Sequence, residues 1–148
     1  MKGEPSLHAR ALAMLARREH SRAELARKLG PHAESPEQIE ALLDQLVARG
    51  WLSETRFAES RASALSRKFG SRKIEYDLKS RGVSAEVVER TVDAARAQEL
   101  ENCRTAWQKK FSAFPRDAAV RGRQMRFLAG RGFSAEAVRQ VLKAGDAD

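Results

Sequence analysis

The chain has 148 residues and a formal net charge of +8, because its 28 Lys and Arg residues outnumber its 20 Asp and Glu residues. Its single cysteine, Cys103, excludes an intramolecular disulfide framework and a cysteine-based zinc site. No apolar run is long enough to cross a membrane, and Arg10 interrupts the N-terminal stretch that a signal peptide would need. We therefore expect a cytoplasmic protein, with a mainly aliphatic core because only 6% of its residues are aromatic.

Apolar residues recur along the chain with helical spacing, and the alternation typical of strands is nearly absent. One stripe, spaced i, i+3, i+4, i+7 and i+8, shows this best: Ile39, Leu42, Leu43, Leu46 and Val47. Ser, Pro and Gly residues divide the helical pattern at regular intervals. In chain order the pattern predicts nine helices, at about 6–18, 21–29, 36–49, 54–69, 71–81, 85–99, 100–113, 117–131 and 135–143.

The helix ends carry specific signals. Ser21 followed by Glu24 predicts a capping box, in which the serine oxygen and the glutamate carboxylate each accept a bond from a free backbone N–H group. Gly30 and Pro31 end the same helix, because proline cannot extend it. Near Glu99 there is no Gly or Pro, so the sixth and seventh helices are either one continuous helix or two with a bend between them.

The sequence repeats itself at an interval of about 50 residues. Three segments begin Ser-x-Glu and share apolar positions: Ser35–Ile39, Ser84–Val88 and Ser134–Val138. In addition, residues 81–84 (Arg-Gly-Val-Ser) match residues 131–134 (Arg-Gly-Phe-Ser). The chain therefore contains three copies of one unit, and each copy has three predicted helices.

These repeats predict an all-α fold of three tandem three-helix repeats, similar to helix-turn-helix units, at residues 1–50, 51–99 and 100–148 with no long linker. A unit of this size buries little apolar surface alone, so neighbouring units must pack together. We expect an elongated, curved array. The alternative is that the three units collapse into one globule.

Net charge rises along the chain, from +1 in residues 1–50 to +2 in 51–100 and +5 in 101–148. Basic side chains on helices suit phosphate backbones and acidic protein grooves. We predict a basic face formed by Arg17, Arg18, Arg22, Lys28, Arg61, Lys68, Arg72, Lys73, Lys79, Arg81, Arg123, Arg126 and Arg131. The alternative is a solvated surface whose cations pair with nearby acids, and it is the stronger interpretation for the first unit.

Catalytic patterns are not apparent, so we expect neither an enzyme nor a bound metal or cofactor. The three histidines lie twelve residues apart, which does not give a metal-binding pair, and no Gly-rich loop of the phosphate-binding kind is present. Cys103 is interpreted as a small core residue. Trp51 and Trp107 are of a type that stacks on bases, but core packing is the favoured role for both.

Two motifs resemble the RecX family of bacterial regulatory proteins. The first is Ser21-Arg22-Ala23-Glu24-Leu25-Ala26-Arg27-Lys28-Leu29, and the second is Arg56-Phe57-Ala58. Later parts of the same family are resembled by five shorter segments, at residues 70–74, 77–78, 81–83, 127–129 and 131–134. The resemblance implies that Leu25, Leu29 and Phe57 lie in the core and that Ser21 and Glu24 cap a helix.

The resemblance also implies a function, which is not enzymatic. RecX proteins bind the RecA–DNA filament in its helical groove and restrain ATP hydrolysis, filament extension and strand exchange during recombination and DNA repair. We accordingly expect a monomer whose partners are the RecA filament and, weakly or through the filament, single- or double-stranded DNA. Two alternatives remain: a helix-turn-helix regulator that binds DNA without a recombinase, and an accessory subunit that binds another acidic protein.

Overall fold

The computed structural model describes residues 3–144, and this part of the chain folds into nine α-helices with no strand. The helices are α1 (Leu7–Arg17), α2 (Arg22–Leu29), α3 (Pro36–Ala48), α4 (Glu54–Leu65), α5 (Ser71–Ser80), α6 (Ala85–Ala97), α7 (Glu99–Lys110), α8 (Ala118–Gly130) and α9 (Ala135–Lys143). A short 3-10 helix, Gly30–His32, follows α2. All nine predicted helices are confirmed, and α4 and α7 end a few residues earlier than expected.

The ends of the helices have the predicted chemistry. The backbone N–H of Glu24 donates to Oγ of Ser21 at 3.0 Å, and the N–H of Ser21 donates to Oε1 of Glu24 at 3.2 Å, which confirms the capping box. At the junction that the sequence left open, Gln98 adopts φ −106° and ψ 3°. The chain therefore bends at Gln98, and α6 and α7 are two helices.

The apolar core of the described residues is divided into three clusters, one in each group of three helices. The first lies within α1–α3 and includes Leu25 and Leu29, the second lies within α4–α6 and includes Phe57, and the third lies within α7–α9. These three side chains are at most 3% exposed, which confirms the expected core positions. Leu52 packs in the first cluster although it lies beyond residue 50, and the unit boundaries at 50 and 99 stay predictions.

The accessible surface of the chain is 9564 Å². A compact monomer of this mass would expose about 7,500 Å². The excess surface agrees with an elongated array of units, whereas its curvature stays a prediction. No helix within residues 3–144 is both long enough and apolar enough to cross a bilayer.

The second helices of the units meet end to end, in the order α2, α5, α8. At the first junction, between α2 and α5, Oγ of Ser21 donates to the carbonyl oxygen of Arg81 at 3.1 Å. At the second junction, between α5 and α8, the N–H groups of Gly70 and Arg72 donate to the carbonyl oxygens of Arg131 and Gly132 at 2.9 and 3.2 Å. In each case the positive start of one helix rests on the negative end of the next, which is a favourable arrangement of helix dipoles.

The second junction requires glycine at both of its closest contacts. A β-carbon on Gly70 would lie 2.5 Å from the carbonyl oxygen of Gly132, which is too close for any side chain. Gly132 itself has a φ of +90°, and a β-carbon there would lie 2.8 Å from the backbone nitrogen of Lys73. Glycine at these positions therefore sets how closely α5 approaches α8.

Candidate partner-binding surface

At the first junction, the carboxylates of Glu24 and Asp77 form ion pairs with three arginines of the predicted basic face. The Glu24 side chain is 4% exposed and accepts two hydrogen bonds from Arg18, at 3.1 and 3.2 Å, and one from Arg81 at 3.3 Å. Asp77 accepts two bonds from Arg61, at 2.8 and 2.9 Å, and one from Nε of Arg81 at 3.1 Å. Arg81 therefore links the first and second units, and all three arginines have intramolecular partners.

Both carboxyl groups have lowered pKa values. Hydrogen bonds from Arg61 hold the pKa of Asp77 below its ordinary value, against the opposing effect of burial. Burial acts to raise the pKa of Glu24, but the hydrogen bonds from Arg18 and from the N–H of Ser21 outweigh it and lower the pKa. Both side chains are therefore ionised at neutral pH, and each compensates the charge of arginine.

His20 and Lys28 form a third contact at this junction. His20 is 2% exposed, and burial lowers the pKa of its imidazole, so the ring is neutral at pH 7. The Lys28 ammonium lies 3.1 Å from Nε2, and the carbonyl oxygen of Arg18 lies 3.1 Å from Nδ1. Because an ammonium group only donates, Nε2 accepts from Lys28 and Nδ1 carries the proton that is donated to Arg18.

Two further predicted cations pair with acids within their own unit. Arg22 donates to Glu40 at 2.6 Å and to Asp44 at 2.8 Å. Lys79 donates to Glu75, one helical turn earlier, at 2.7 Å. The solvated, paired surface therefore describes Arg18 and Arg22 in the first unit and Lys79 near the end of α5.

The other predicted cations make no ion pair with any carboxylate of residues 3–144. They are Arg17, Lys68, Arg72, Lys73, Arg123, Arg126 and Arg131. Apart from Arg17, they belong to the second and third units, where the sequence places the excess of positive charge. The structure therefore divides the predicted basic face into a paired half and an unpaired half.

Five of the basic residues converge on one concavity, which we call the basic pocket. It has a volume of about 190 Å³ and is lined by Arg67, Lys68, Lys109, Lys110 and Arg131, with Ala106 and Phe127. The predicted face contained Lys68 and Arg131 but not the other three cations. The basic pairs Arg67-Lys68 and Lys109-Lys110 were visible in the sequence, each close to a helix end, although nothing in the sequence brought the two pairs together.

Aromatic rings contact two of the five pocket cations, Arg131 and Lys110, and also Lys73 nearby. The Arg131 guanidinium lies 5.3 Å from the ring centre of Phe69 and 4.9 Å from that of Phe127. Nζ of Lys73 lies 5.4 Å from the Phe69 ring, and Nζ of Lys110 lies 5.5 Å from the Phe127 ring. Such cation–π contacts fix the direction of a charged side chain without neutralising its charge.

Cys103 and Trp107, two other residues that the sequence analysis considered for a functional role, lie in the apolar core. Cys103 is fully buried, and burial raises the pKa of its thiol to about 12, so it is a core residue, as predicted. Trp107 is also in the core, and its indole N–H donates to Gln124 at 2.8 Å. No group of three or more His, Cys, Asp and Glu side chains in residues 3–144 is placed to hold a metal ion.

The prediction of core packing is wrong for Trp51, which is 43% exposed. Gly50 has a φ of +75° and turns the chain, so that Leu52 enters the first core and Trp51 stays at the surface. There the guanidinium of Arg49 lies 5.2 Å from the centre of the Trp51 ring.

Comparisons with known proteins agree over nearly the whole chain. Models of the first, second and third three-helix domains of RecX match residues 8–46, 53–92 and 97–142. The chain is 50% identical over 141 residues to the regulatory protein RecX of Leptothrix cholodnii, covering 95% of this chain and 90% of that protein. It is 46% identical over 143 residues to the RecX of Chromobacterium violaceum, covering 97% and 92%.

The fold has also been seen before. The crystal structure of RecX from Lactobacillus salivarius superposes with a TM-score of 0.83 and covers 96% of each chain. Its sequence is only 18% identical, so this likeness concerns the fold alone.

Proposed function

The chain belongs to the RecX family, and from this premise we propose that it binds the RecA–DNA filament in its helical groove and restrains ATP hydrolysis, filament extension and strand exchange. Membership of the family supports a regulator of RecA; the mode of binding and the direction of the effect are our proposal. On this proposal the protein acts by binding rather than by catalysis, as a monomer, in the cytoplasm where its recombinase works.

One observation carries the proposal: the unpaired cations extend over two units of an elongated array. Lys73 on α5 and Arg123 on α8 lie at equivalent positions of the repeat, 50 residues apart, and neither has a carboxylate partner among the described residues. A molecule with similar charged surfaces on successive units suits a partner that is itself a helical repeat. Two linked contacts also bind more tightly than either one alone, because the second forms within a complex that already exists.

Regulation follows if the two states of the filament bind this protein unequally. A bound regulator shifts the protomers toward the conformation for which it has the higher affinity, and only by the difference between its two affinities. A preference for a conformation outside the hydrolysis cycle therefore slows ATP turnover and further growth. The effect is reciprocal: if binding of the regulator shifts the filament toward one state, a filament already in that state binds the regulator more tightly.

The test is ATP hydrolysis by the cognate RecA on single-stranded DNA, with DNA in excess over all protein. We expect hydrolysis to fall at amounts of this protein below those of RecA, and we expect additional DNA not to restore it. Unchanged hydrolysis would contradict the proposal, because the protein would then be inert. Full recovery on adding DNA would also contradict it, because the filament would then bind the protein no more tightly than free DNA does.

A charge-reversal variant localises the effect. Arg72→Glu, Arg123→Glu and Arg126→Glu together alter three exposed residues without ion pairs, and we expect half-inhibition to need at least about tenfold more protein. Arg81 is left unchanged because its reversal would break the first junction. The matched control reverses three exposed cations outside the predicted face, Arg27, Arg90 and Lys143, and should stay within about twofold of the wild type.

A further inference from the structure

The basic pocket holds more positive charge than the local helix ends require. It is formed just after the end of α4, by Arg67 and Lys68, and at the ends of α7 and α8, by Lys109, Lys110 and Arg131. Cations near helix C-termini stabilise the negative end of the helix dipole, which is equivalent to roughly −0.5 charge per helix. Three such ends amount to about −1.5, whereas the five side chains carry a formal +5.

No acidic residue lines the pocket to balance this excess. The ion pairs of the described residues include none to Arg67, Lys68, Lys109, Lys110 or Arg131. Like charges gathered in one concavity repel each other and lower the stability of the folded chain. Their repulsion is relieved when an anion enters, so the concavity favours a ligand that carries negative charge.

The pocket is also partly preorganised for such a ligand. Phe69 and Phe127 flank the guanidinium of Arg131, and Lys110 lies over the Phe127 ring. The carbonyl oxygen of Arg131 accepts the N–H of Gly70 at 2.9 Å, which fixes its backbone across the second junction. Side chains that are already held lose less conformational freedom when they bind.

We propose that the basic pocket binds phosphate groups of a nucleic-acid backbone, and that it does so in the chain alone, without a recombinase. Its role within the filament rests on the proposed function, whereas the binding itself does not. The contact is independent of base sequence, because the rings of Phe69 and Phe127 are covered by cations and are not open for stacking of bases.

The composition of the pocket favours nucleic acid over an acidic protein. Three of its five cations are lysines, and Lys is depleted at protein–protein interfaces, whereas Lys and Arg are both donors to phosphate oxygens in complexes with nucleic acid. Its volume of about 190 Å³ is also below the 300–1,000 Å³ typical of sites for small molecules. A pocket of this size suits one phosphate of a chain that continues over the surface, rather than an enclosed cofactor.

The test measures fluorescence anisotropy of a labelled oligonucleotide of mixed sequence, as a single strand and as a duplex, with no recombinase present. The pocket variant is Lys68→Gln, Lys109→Gln and Lys110→Gln, and the control is Arg27→Gln, Arg90→Gln and Lys143→Gln. All six side chains are exposed, and both variants remove three positive charges. Far-UV circular dichroism and thermal unfolding confirm that each variant is folded.

We expect the pocket variant to bind at least one form of DNA at least about tenfold more weakly than the wild type, and the control to stay within about threefold. The slope of log affinity against log salt should become shallower by about 2 for a single strand, since each lost phosphate contact contributes roughly 0.7. If a triple variant does not fold, Lys109→Gln with Lys110→Gln replaces it, compared with Arg27→Gln and Arg90→Gln.

Three results would overturn the inference. The wild type could fail to bind either form of DNA, or both variants could lose affinity equally, which would point to overall charge alone. The pocket variant could instead keep its DNA affinity, and a separate titration against DNA-free RecA would then show whether the pocket binds an acidic protein surface. The Arg72, Arg123 and Arg126 variant leaves the five pocket side chains in place, so the proposed function is tested separately.

Discussion

At both junctions of this molecule the carbonyl oxygen of an arginine accepts a hydrogen bond from the neighbouring unit, but the surroundings of the two arginines differ. Arg81 and Arg131 lie at equivalent positions of the repeat. The hydroxyl of Ser21 donates to the carbonyl oxygen of Arg81, and the backbone N–H of Gly70 donates to the carbonyl oxygen of Arg131. Arg81 is paired with Glu24 and Asp77, whereas Arg131 lies between two aromatic rings with no carboxylate. The same position therefore stabilises the fold in one copy and stays available for an anion in the other.

A buried glutamate at each junction explains the difference. Glu24 receives the guanidinium groups of Arg18 and Arg81. Glu99, only 6% exposed, instead accepts three bonds from uncharged donors on one oxygen, Oε1: the N–H and hydroxyl of Ser71, at 3.0 Å each, and the N–H of Ser134 at 3.3 Å. Glu99 thus ties the starts of α5 and α9 together without neutralising an arginine.

The concavities at the two junctions show the same contrast. The one at the first junction has a volume of about 300 Å³ and is lined by three arginines, but Glu19 lines it as well, and Glu24 and Asp77 pair with its cations. The basic pocket at the second junction has cations and apolar residues only. Equivalent architecture can therefore carry opposite electrostatics, because a few carboxylates decide which arginines remain unpaired.

The largest expected effect is the loss of stability when a glycine at a junction is replaced by alanine. Gly132→Ala should lower the free energy of unfolding by about 3 kcal/mol, because it combines a positive φ with a clash against the backbone of Lys73. Gly82→Ala should cost less, since its β-carbon meets only the side chain of Ala23. Gly50→Ala should cost about 1 kcal/mol, because no atom lies within 4 Å and only the φ of +75° is unfavourable. Urea unfolding of the three variants measures the order, and equal losses would show that tight packing at the second junction contributes nothing.

The next largest effect is the loss of stability when the charge of a buried glutamate, Glu24 or Glu99, is removed. Glu24→Gln should destabilise the chain by about 2 kcal/mol, because it removes a charge that accepts hydrogen bonds from two arginines. Glu99→Gln should change stability by less than about 1 kcal/mol, since the amide oxygen of Gln still accepts from the same uncharged donors. Thermal unfolding of the two variants at one pH decides between them. A larger loss of stability for Glu99→Gln would contradict the conclusion that the carboxylate charge matters more at the first junction than at the second.

The smallest effect is a dependence of stability on acid pH that originates at the first junction. The folded-state pKa values of Glu24 and Asp77 lie below their ordinary values of 4.5 and 3.8, so the unfolded chain takes up protons first as the pH falls. Their stabilisation is complete above those ordinary values and is lost as the pH drops through the folded-state values. Below pH 4.5, the free energy of unfolding measured in urea should fall less steeply with decreasing pH in the double variant Glu24→Gln, Asp77→Asn than in the wild type. Parallel declines would show that these carboxylates do not link the junction to pH.

The sequence was sufficient for the helices because their ends are local. Ser21 and Glu24 are three residues apart, and the capping box that they form needs no other part of the chain. The bend at Gln98 has no such signal, because neither Gly nor Pro marks it. Most helix ends, the repeat length and most core positions were therefore predictable, whereas the division between α6 and α7 and the exposure of Trp51 were not.

The candidate site was only half predictable because its charges pair over long distances. Arg81 reaches Glu24, 57 residues away, and Arg61 reaches Asp77 on the neighbouring helix. Counting the acidic residues close to Arg81 in the sequence does not reveal its pair with Glu24, because Glu24 lies in another part of the chain. The basic pocket was missed for the same reason, since Arg67-Lys68 and Lys109-Lys110 meet only after the second and third units have packed together.

The three separate cores have a consequence for cooperativity. Each core lies mainly within one group of three helices, and the second helices of neighbouring groups meet through a small number of hydrogen bonds and ion pairs. Such an array behaves as a one-dimensional chain of coupled elements, in which an end unit unfolds while the others stay folded. On the proposed function, the number of folded units per molecule, rather than the fraction of folded molecules, would then set how many repeats of a helical polymer one molecule spans.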